Sequence, residues 1–384
     1  MQVSARIWRH FDIWLLAAVA ALTIAGVAMI RSAAGGNTNL AQLVPRQALW
    51  AVIGLAVVMV MAAIDYRFWS AISRPMYLFV VAFLLFVLLA GFVGFGSARW
   101  YTVGIVYIQP SEVSKFLMIL IVADYLARNR EEIGEMRVVL RSLLLVGVPA
   151  LLVFLQPDLS TSIVLAVIWI ALIWAAGVKL RHLAILAGMA AVAVLIILPF
   201  VAEYFLVGYP KGQDFLFLKH YQMQRVMTFA FPDSNVQHGA SYNVNQALIA
   251  IGSGGLFGQG YGHGTQVQLR FLKVRHTDFI FSAMSEEFGF AGAIIFLAMF
   301  LFIIYRCLRA ARMARDSYGA LICYGVALVL LLQGAFNIGM NLNLFPVSGL
   351  PLPFFSYGGS SLVASLLGIG LVESVMLRHK RLEL

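Results

Sequence analysis

Ten long apolar stretches are the feature of this sequence that most limits how it can fold. Each is close to the roughly 20 residues that a helix needs to cross a hydrocarbon core about 30 Å thick. They cover approximately residues 12–31, 47–64, 77–95, 111–127, 138–155, 160–177, 183–202, 279–304, 318–341 and 360–377. Because 62% of the residues are hydrophobic and 11% are charged, a water-soluble globule is excluded. The sequence predicts one all-α membrane domain with ten spans over residues 1–384.

The basic residues predict the orientation of these spans. Of the 27 Lys and Arg residues, 17 fall in tails or loops on one side of the predicted bundle. Short loops rich in Lys and Arg stay in the cytoplasm, so this side is predicted to be cytoplasmic, together with both termini. The formal net charge of +10 then follows from topology, and it gives no reason to expect a nucleic-acid partner.

One connection, residues 203–278 on the predicted outer side, is far longer than the others. Loops beyond about 15 residues are usually functional or disordered. "FLFLKHYQMQRVMTF" and "YNVNQALIAI" are too apolar for disorder, and each predicts a short helix in the membrane interface. Seven glycines follow between Gly252 and Gly264. They predict either tight turns with positive φ or a close approach of the backbone to a ligand.

Charged residues near or within the apolar stretches are candidates for a functional site, because each costs at least about 2.5 kcal/mol to insert. In "SARWYTVGIVYIQPSEVSKF", Glu112 and Lys115 are three residues apart and share one face of the fourth span. They predict either a mutually neutralising pair or a lysine that, with Arg99, offers positive charge to an anionic headgroup. Trp100 suits either a membrane interface or such a site.

A second carboxylate stands in "LQPDLSTS", between the fifth and sixth spans. Asp158 directly precedes an apolar run, so a helix N-cap worth about 1 kcal/mol explains it. The whole cluster of Gln156, Pro157 and Asp158 on the predicted outer surface also suits a binding site. Both interpretations stay open from the sequence.

Three carboxylates stand in "RHTDFIFSAMSEEFG", at the start of the eighth span. Asp278 can cap that helix or act chemically at its outer end. Glu286 and Glu287 lie about 12 Å deeper along a straight helix. We expect these two glutamates to support an internal polar cavity or to bind a neighbouring helix.

The stretch "NLFPVSGLPLPFFSYGGSS", residues 343–361, contains three prolines and three glycines and cannot form a regular helix. Irregular backbone at membrane depth is tolerated only beside protein or a water-filled cavity. The sequence therefore predicts a broken or re-entrant segment that lines the same outer cavity as Asp278.

In this order, the motifs resemble those of the SEDS family, the bacterial peptidoglycan glycosyltransferases. The likeness rests on the stretches quoted above together with "HYQMQRVMTF" and "AIGSGGLFGQGYGHGTQ", and it covers essentially the whole chain. "HTDFIFS" and the short N-terminal tail are more similar to the elongation members than to the division members. The resemblance implies a ten-helix bundle in the bacterial inner membrane that polymerises lipid II on the outer face during cell elongation.

The resemblance also implies site residues and partners. Asp278 corresponds to the family's essential aspartate, and it would act as the general base. Family members work with a class B penicillin-binding protein, a transpeptidase of the elongation complex. The candidates for substrate binding are Arg99, Trp100, Glu112, Lys115, Gln156, Asp158, Gln224, Arg225, His276, Thr277 and Ser356.

No cofactor is required by these motifs, and the sequence assigns no metal ligand with certainty. A divalent cation such as Mg²⁺ or Mn²⁺ could assist Arg225, Lys115 and Arg99 in holding a diphosphate. Asp158 and Glu112 would then bind the cation or orient the basic residues, and the sequence does not separate these two roles.

Two other functions stay open. Ten spans with a polar cavity and intramembrane glutamates also suit a flippase that moves lipid II between the leaflets. Against it, the charged and glycine-rich residues concentrate on the outer side, whereas alternating access needs gates on both sides. A non-catalytic scaffold of the cell-wall complex is the other alternative, and it would require that Asp278 tolerates substitution.

Overall fold

The computed structural model describes residues 8–35, 40, 42–90, 92–94, 97–103, 106–208, 211–212, 220–230 and 240–380, with only the backbone at residues 90, 92–94, 97–103, 106–108, 206, 208 and 240. The helices in this part are α1 Ile13–Ala33, α2 Leu43–Ala63, α3 Tyr66–Ala71, α4 Ser73–Ala90, α5 Pro110–Arg128, α6 Met136–Leu155, α7 Leu159–Ala175, α8 Leu180–Glu203, α9 His220–Ala230, α10 Ala240–Ser253, α11 Thr265–Gln268, α12 Ile280–Met313, α13 Ser317–Asn341 and α14 Gly359–Leu377.

A helix occupies each of the ten stretches predicted to span the membrane. Seven of these helices, α1, α2, α6, α8, α12, α13 and α14, are long and apolar enough to cross a bilayer. Two more, α4 and α7, are apolar but shorter. The remaining one, α5, carries buried charged residues along an otherwise apolar helix. The chain is therefore a helical membrane protein with multiple spans.

Three short strands, which the sequence did not predict, lie between α4 and α5. They are β1 Phe92–Gly94, β2 Ser97–Val103 and β3 Val106–Ile108, and they form an antiparallel sheet in the order β1-β2-β3. Aromatic and β-branched residues dominate this stretch, and such residues favour strands over helix. The third predicted span consequently ends at Ala90 rather than at residue 95.

The helices differ strongly in how much protein surrounds them. In α14, 78% of the membrane-spanning window is buried, whereas none of the window of α8 is. The inner helix α14 packs along α2, where a Cβ on Gly370 would lie 2.6 Å from the Met61 Cβ. Small residues allow such close approach between helices in a membrane. The apolar side chains of α8 instead point outward, as expected of a helix whose neighbours are lipids.

A break at Gly289 divides α12 into two parts. Gly289 has φ 64° and ψ −164°, which a helix cannot accommodate. All eight residues before Phe288, from Ile280 to Glu287, are buried, whereas Phe290 and Ile295 beyond the break are exposed. Because the break lies after Glu286 and Glu287, the helix from Ile280 to these glutamates is uninterrupted. Both glutamates lie in the buried segment that precedes the exposed part of α12.

The glycine-rich loop supplies the hydrogen bonds that this break would otherwise leave unmade. The Phe290 N–H donates to Gly255 O at 2.9 Å, and the Gln259 N–H donates to Glu286 O at 3.0 Å. At Gly258, where φ is 82°, a Cβ would lie 2.1 Å from Glu287 O. The predicted turns with positive φ are confirmed, and the close approach seen here is to the backbone of α12. Approach to a ligand stays a prediction.

Ion pairs gather at the end of the bundle that is opposite to the start of α12. Arg306, near the far end of α12, binds Asp12 in front of α1. Arg67 Nη2 lies 3.0 Å from Asp316 Oδ2, in front of α13. The helix ends that were predicted to share one side of the membrane therefore do lie together in the structure.

Candidate active site

Asp278 stands at the end of the long loop, directly before α12. The N-cap residue of α12 is Phe279, and no side chain caps this helix, so the helix-cap interpretation of Asp278 is wrong. The Asp278 side chain is half-buried, and its carboxylate accepts no hydrogen bond from any described residue. A carboxylate without a structural partner is available for chemistry.

The main chain around Asp278 is held by hydrogen bonds to the carbonyl oxygens of three successive residues. His276 O accepts a hydrogen bond from the Tyr357 N–H at 2.9 Å, and Thr277 O accepts one from Ser356 Oγ at 2.8 Å. Asp278 O accepts hydrogen bonds from α13 through Asn341 Nδ2 at 2.9 Å. The predicted irregular segment is confirmed over residues 343–358, whereas α14 already begins at Gly359. Ser356 and Tyr357 of this segment contact the main chain next to the aspartate.

Arg225 supplies positive charge near this carboxylate. It projects from α9, one of the two helices predicted in the long loop, and its Nη1 donates to Val347 O at 3.3 Å. The centre of its guanidinium lies 5.7 Å from the centroid of the Tyr221 ring. Arg225 is thereby fixed between the loop and the irregular segment, with its field acting on Asp278.

The electrostatic environment favours a proton acceptor at Asp278. Burial raises the pKa of its carboxyl above the ordinary value, and Arg225 opposes this effect only in part. A raised pKa brings a carboxylate closer to the pH at which it can accept a proton efficiently. At the neighbouring His276, burial and the charge of Arg275 both lower the pKa, so that its imidazole is neutral at pH 7.

A pocket of about 120 Å³ opens beside Arg225. Its wall is formed by the start of α7, by α9 and by the irregular segment. The lining residues are Pro157, Asp158, Leu159, Ser160, Ile163, Tyr221, Gln222, Arg225, Val226, Phe336, Pro346, Val347, Ser348 and Leu350. Most of these side chains are apolar, and one cation and one carboxylate stand among them, a composition typical of binding pockets.

Asp158 caps α7 and also lines the pocket. It caps α7, because its Oδ1 accepts the Thr161 N–H at 3.2 Å and its Oδ2 accepts Thr161 Oγ1 at 3.0 Å. Gln109 Nε2 donates to the same Oδ2 at 3.1 Å. Since Asp158 also lines the pocket, its capping role and a role in binding are compatible.

Glu112 and Lys115 form the mutually neutralising pair. Lys115 Nζ lies 2.8 Å from Glu112 Oε1, and the lysine side chain is 0% exposed. In this structure its charge is not presented to the pocket. Its role as a ligand of an anionic headgroup stays a prediction.

The other predicted binding residues are dispersed. Gln156 is buried and donates to Leu84 O at 2.7 Å, which ties α6 to α4. Gln224 is exposed and does not line the pocket, whereas its neighbour Gln222 does. Arg99 and Trp100 belong to β2, and their side chains lie outside the described part of the chain.

The two deeper glutamates are structural, as expected. Glu286 accepts the Gln266 N–H at 2.8 Å and Thr265 Oγ1 at 3.1 Å, and it thereby fixes the first turn of α11. Glu287 accepts a hydrogen bond from Ser32 at the end of α1. The two carboxylates thereby join α12 to α11 and to α1.

Sequence reasoning missed four residues at the site. Tyr221 and Gln222 line the pocket, but nothing distinguished them from other residues of an amphipathic helix. Asn337 and Asn341 hold the Asp278 main chain. Two asparagines four residues apart in an apolar span are a signal that could have been noticed, since they share one face and polar groups there need partners.

Comparison with known proteins gives the family. The sequence profile of the family described as "Cell cycle protein", which covers FtsW, RodA and SpoVE, matches residues 9–381. The chain belongs to the SEDS family.

Two relatives within the SEDS family illustrate the similarity. The peptidoglycan glycosyltransferase MrdB of Escherichia coli (strain K12) is 36% identical over 375 residues, which are 97% of this chain and 95% of MrdB. A probable peptidoglycan glycosyltransferase FtsW of Coxiella burnetii is 34% identical over 385 residues, covering 97% of this chain and 98% of the relative.

Solved SEDS structures share the fold. A chain from a study of how a peptidoglycan synthase complex coordinates polymerization and crosslinking has a TM-score of 0.76 and 28% identity, covering 96% of this chain and 98% of that one. The rod shape determining protein RodA of Thermus thermophilus has a TM-score of 0.67 and 28% identity, covering 96% of each chain.

Proposed function

We propose that this SEDS protein is a peptidoglycan glycosyltransferase that polymerises lipid II during cell elongation, with Asp278 as the general base. The observation that carries the proposal is the carboxylate of Asp278. It has no hydrogen-bond partner among the described residues, burial raises its pKa, and Arg225, a cation that lines the pocket, acts on it electrostatically. The names of the relatives support the same activity.

The reaction joins two sugars with inversion at the donor's anomeric carbon. The 4-hydroxyl oxygen of the acceptor attacks that carbon, the bond from the carbon to the diphosphate oxygen breaks, and the hydroxyl proton passes to the Asp278 carboxylate. A positioned general base contributes typically 10²- to 10⁴-fold to the rate of such a step. Inversion requires one displacement, so no covalent glycosyl-enzyme forms.

The diphosphate leaving group requires positive charge rather than a second acid. Arg225 is the cation that lines the pocket in the described part of the chain, and its planar guanidinium can bind two phosphate oxygens at once. Lys115 and Arg99 remain candidates for the same task. Lys115 would first have to leave Glu112, which binds it at 2.8 Å.

A protein-built metal cage does not fit these residues. No group of three His, Cys, Asp or Glu side chains that could hold a metal occurs in the described ranges. Asp158, the predicted cation ligand in the pocket, already has both oxygens engaged by protein donors. Glu112, the other predicted ligand, is paired with Lys115. No step of the reaction is therefore assigned to a metal.

The charges and the helices support one arrangement of the chain in the membrane. All ten helices at the predicted positions span the inner membrane, both termini are cytoplasmic, and Asp278 faces outward. The polyprenyl tail of lipid II remains in the bilayer, in a groove between spans. A class B penicillin-binding protein is the transpeptidase partner, which agrees with the similarity to a chain of a peptidoglycan synthase complex.

Incubation of the purified protein with lipid II in detergent tests this function. The wild-type chain, with its transpeptidase partner, should form glycan polymer, and Asp278→Asn should remain folded but lose at least about 100-fold in rate. A flippase would make no polymer, because there is no membrane to cross. Near-normal polymer from Asp278→Asn would instead show that another group is the base.

A further inference from the structure

Two buried asparagines on α13 connect the predicted base to the rigid part of the bundle. From their geometry we infer that Asn337 and Asn341 are positioning residues that hold Asp278 where it can accept the proton. This inference rests on the proposed function, because it assumes that Asp278 is the base. Neither side chain touches the pocket described above.

The contacts of Asn341 join the Asp278 main chain to the first turn of α12. Its Nδ2 donates to Asp278 O at 2.9 Å. Its Oδ1 accepts the Ser282 N–H at 3.1 Å and Ser282 Oγ at 2.5 Å, in the first turn of α12. One amide group therefore fixes the position of Asp278 relative to the helix that follows it.

The contacts of Asn337 fix the same carbonyl to the irregular segment. Its Nδ2 donates to Asp278 O at 3.2 Å and to Leu350 O at 2.8 Å. Leu350 lines the pocket, so this amide sets the distance between the pocket wall and the base. Asn341 Nδ2 also donates to the side-chain oxygen Asn337 Oδ1 at 3.4 Å, which couples the two side-chain amides.

A fixed backbone matters here because the carboxylate itself has no partner among the described residues. Both asparagines are 0% exposed, and a buried amide is held firmly when its hydrogen bonds are made. General-base catalysis depends on hydrogen-bond distance to the hydroxyl, and a displacement of about 1 Å can cost on the order of 100-fold in rate. Loss of either asparagine should therefore impair the chemical step.

Gln333 offers a matched control on the same helix. It lies one turn before Asn337, on the same face of α13, and it is also 0% exposed. Unlike the asparagines, its side-chain amide makes no hydrogen bond within the described part of the chain. Gln333→Leu thus removes a buried amide from α13 without touching Asp278.

The test compares Asn337→Leu, Asn341→Leu and Gln333→Leu in the full chain with its transpeptidase partner, using lipid II over a range of pH. We expect both asparagine variants to lose about 10- to 100-fold in kcat with KM changed less than about threefold. A displaced carboxylate is better solvated, which lowers its pKa. We therefore also expect the fall in rate at acid pH to occur at lower pH in both asparagine variants than in the wild type. Gln333→Leu should keep the wild-type kcat and pH profile.

Equal kcat and pH profiles in all three variants, with Asp278→Asn inactive, would overturn the positioning role and leave the proposed function intact. Normal polymer from Asp278→Asn would overturn the proposed function itself. If Asn341→Leu does not fold, Asn337→Leu decides the matter alone, because it leaves the Ser282 contacts of Asn341 in place.

Discussion

Lys115 Nζ lies 2.8 Å from Glu112 Oε1, and the two side chains are 0% and 4% exposed. The residues are three positions apart on α5, so the helix itself brings them together. Removing one partner of a buried ion pair leaves an uncompensated charge and costs about 3–5 kcal/mol, whereas neutralising both can be nearly neutral. The pair therefore behaves as one structural unit.

This unit gives the first prediction. Lys115→Met and Glu112→Gln should each lower the free energy of unfolding by about 3 kcal/mol, and the double variant should recover most of that loss. Thermal unfolding of the three variants in detergent measures the coupling between the residues. If Lys115→Met keeps its stability but uses lipid II poorly, the lysine binds the substrate, as the sequence also allows.

The pH dependence of the reaction gives a second prediction. A carboxylate acts as a base only when it is deprotonated, so the rate falls as the pH drops through its pKa. An exposed aspartate has a pKa of about 3.9. Because burial raises the pKa of Asp278, the rate should begin to fall at a higher pH than an exposed aspartate would give. Arg225→Gln removes a charge that lowers this pKa, and the fall in rate should therefore move to still higher pH.

Lys211→Gln is the control for the second prediction. Lys211 is an exposed cation of the same loop, so its loss changes the net charge equally without approaching Asp278. The measurement is the pH profile of polymer formation for the three proteins. An acid limb that Arg225→Gln leaves in place would show that Arg225 and Asp278 are not coupled.

A third prediction concerns the glycine-rich loop. Gly258→Ala places a Cβ 2.1 Å from Glu287 O at a φ of 82°, so it should destabilise the protein by about 2 kcal/mol or more. Gly252→Ala is the matched control, because a Cβ there meets nothing within 4 Å. Thermal unfolding compares the two. Equal melting temperatures would mean that the loop does not pack on the break in α12.

A fourth prediction separates the two roles of Asp158. Asp158→Ala removes the cap of α7 and should cost about 1 kcal/mol of stability. Asp158→Asn keeps a capping oxygen and should retain that stability. A raised KM for lipid II in Asp158→Asn would show that the negative charge of Asp158 contributes to substrate binding. Unchanged kinetics in this variant would restrict Asp158 to capping.

Much of the helical framework could be predicted from the sequence. Each apolar stretch contains a helix, since a backbone in lipid must satisfy its own hydrogen bonds. The cap of α7 at Asp158 and the short helix α9 followed from local patterns as well. The irregular segment at residues 343–358 was predictable because proline excludes regular helix.

The site was predictable only in part. Asp278 was identified from its motif, but the sequence also suggested a helix cap that the structure does not contain. Gln224 was assigned to the substrate site and is exposed, and its role there stays a prediction, whereas the sequence did not single out Gln222, which lines the pocket. The orientation of a short amphipathic helix depends on what it packs against, and a local pattern does not record that.

The hydrophobic pattern and the local motifs predicted the positions of the helices, the side of each loop and Asp278 as the candidate base. Those properties depend on hydrophobicity and on residues near one another in the chain. The contact of Asn341 with the Asp278 main chain and the electrostatic effect of Arg225 on Asp278 depend on the tertiary structure. The tertiary structure also brings the glycine-rich loop to the break at Gly289, where the loop makes backbone hydrogen bonds with α12. These contacts join residues far apart in the sequence, and they form only when helix packing brings the partners within hydrogen-bonding distance.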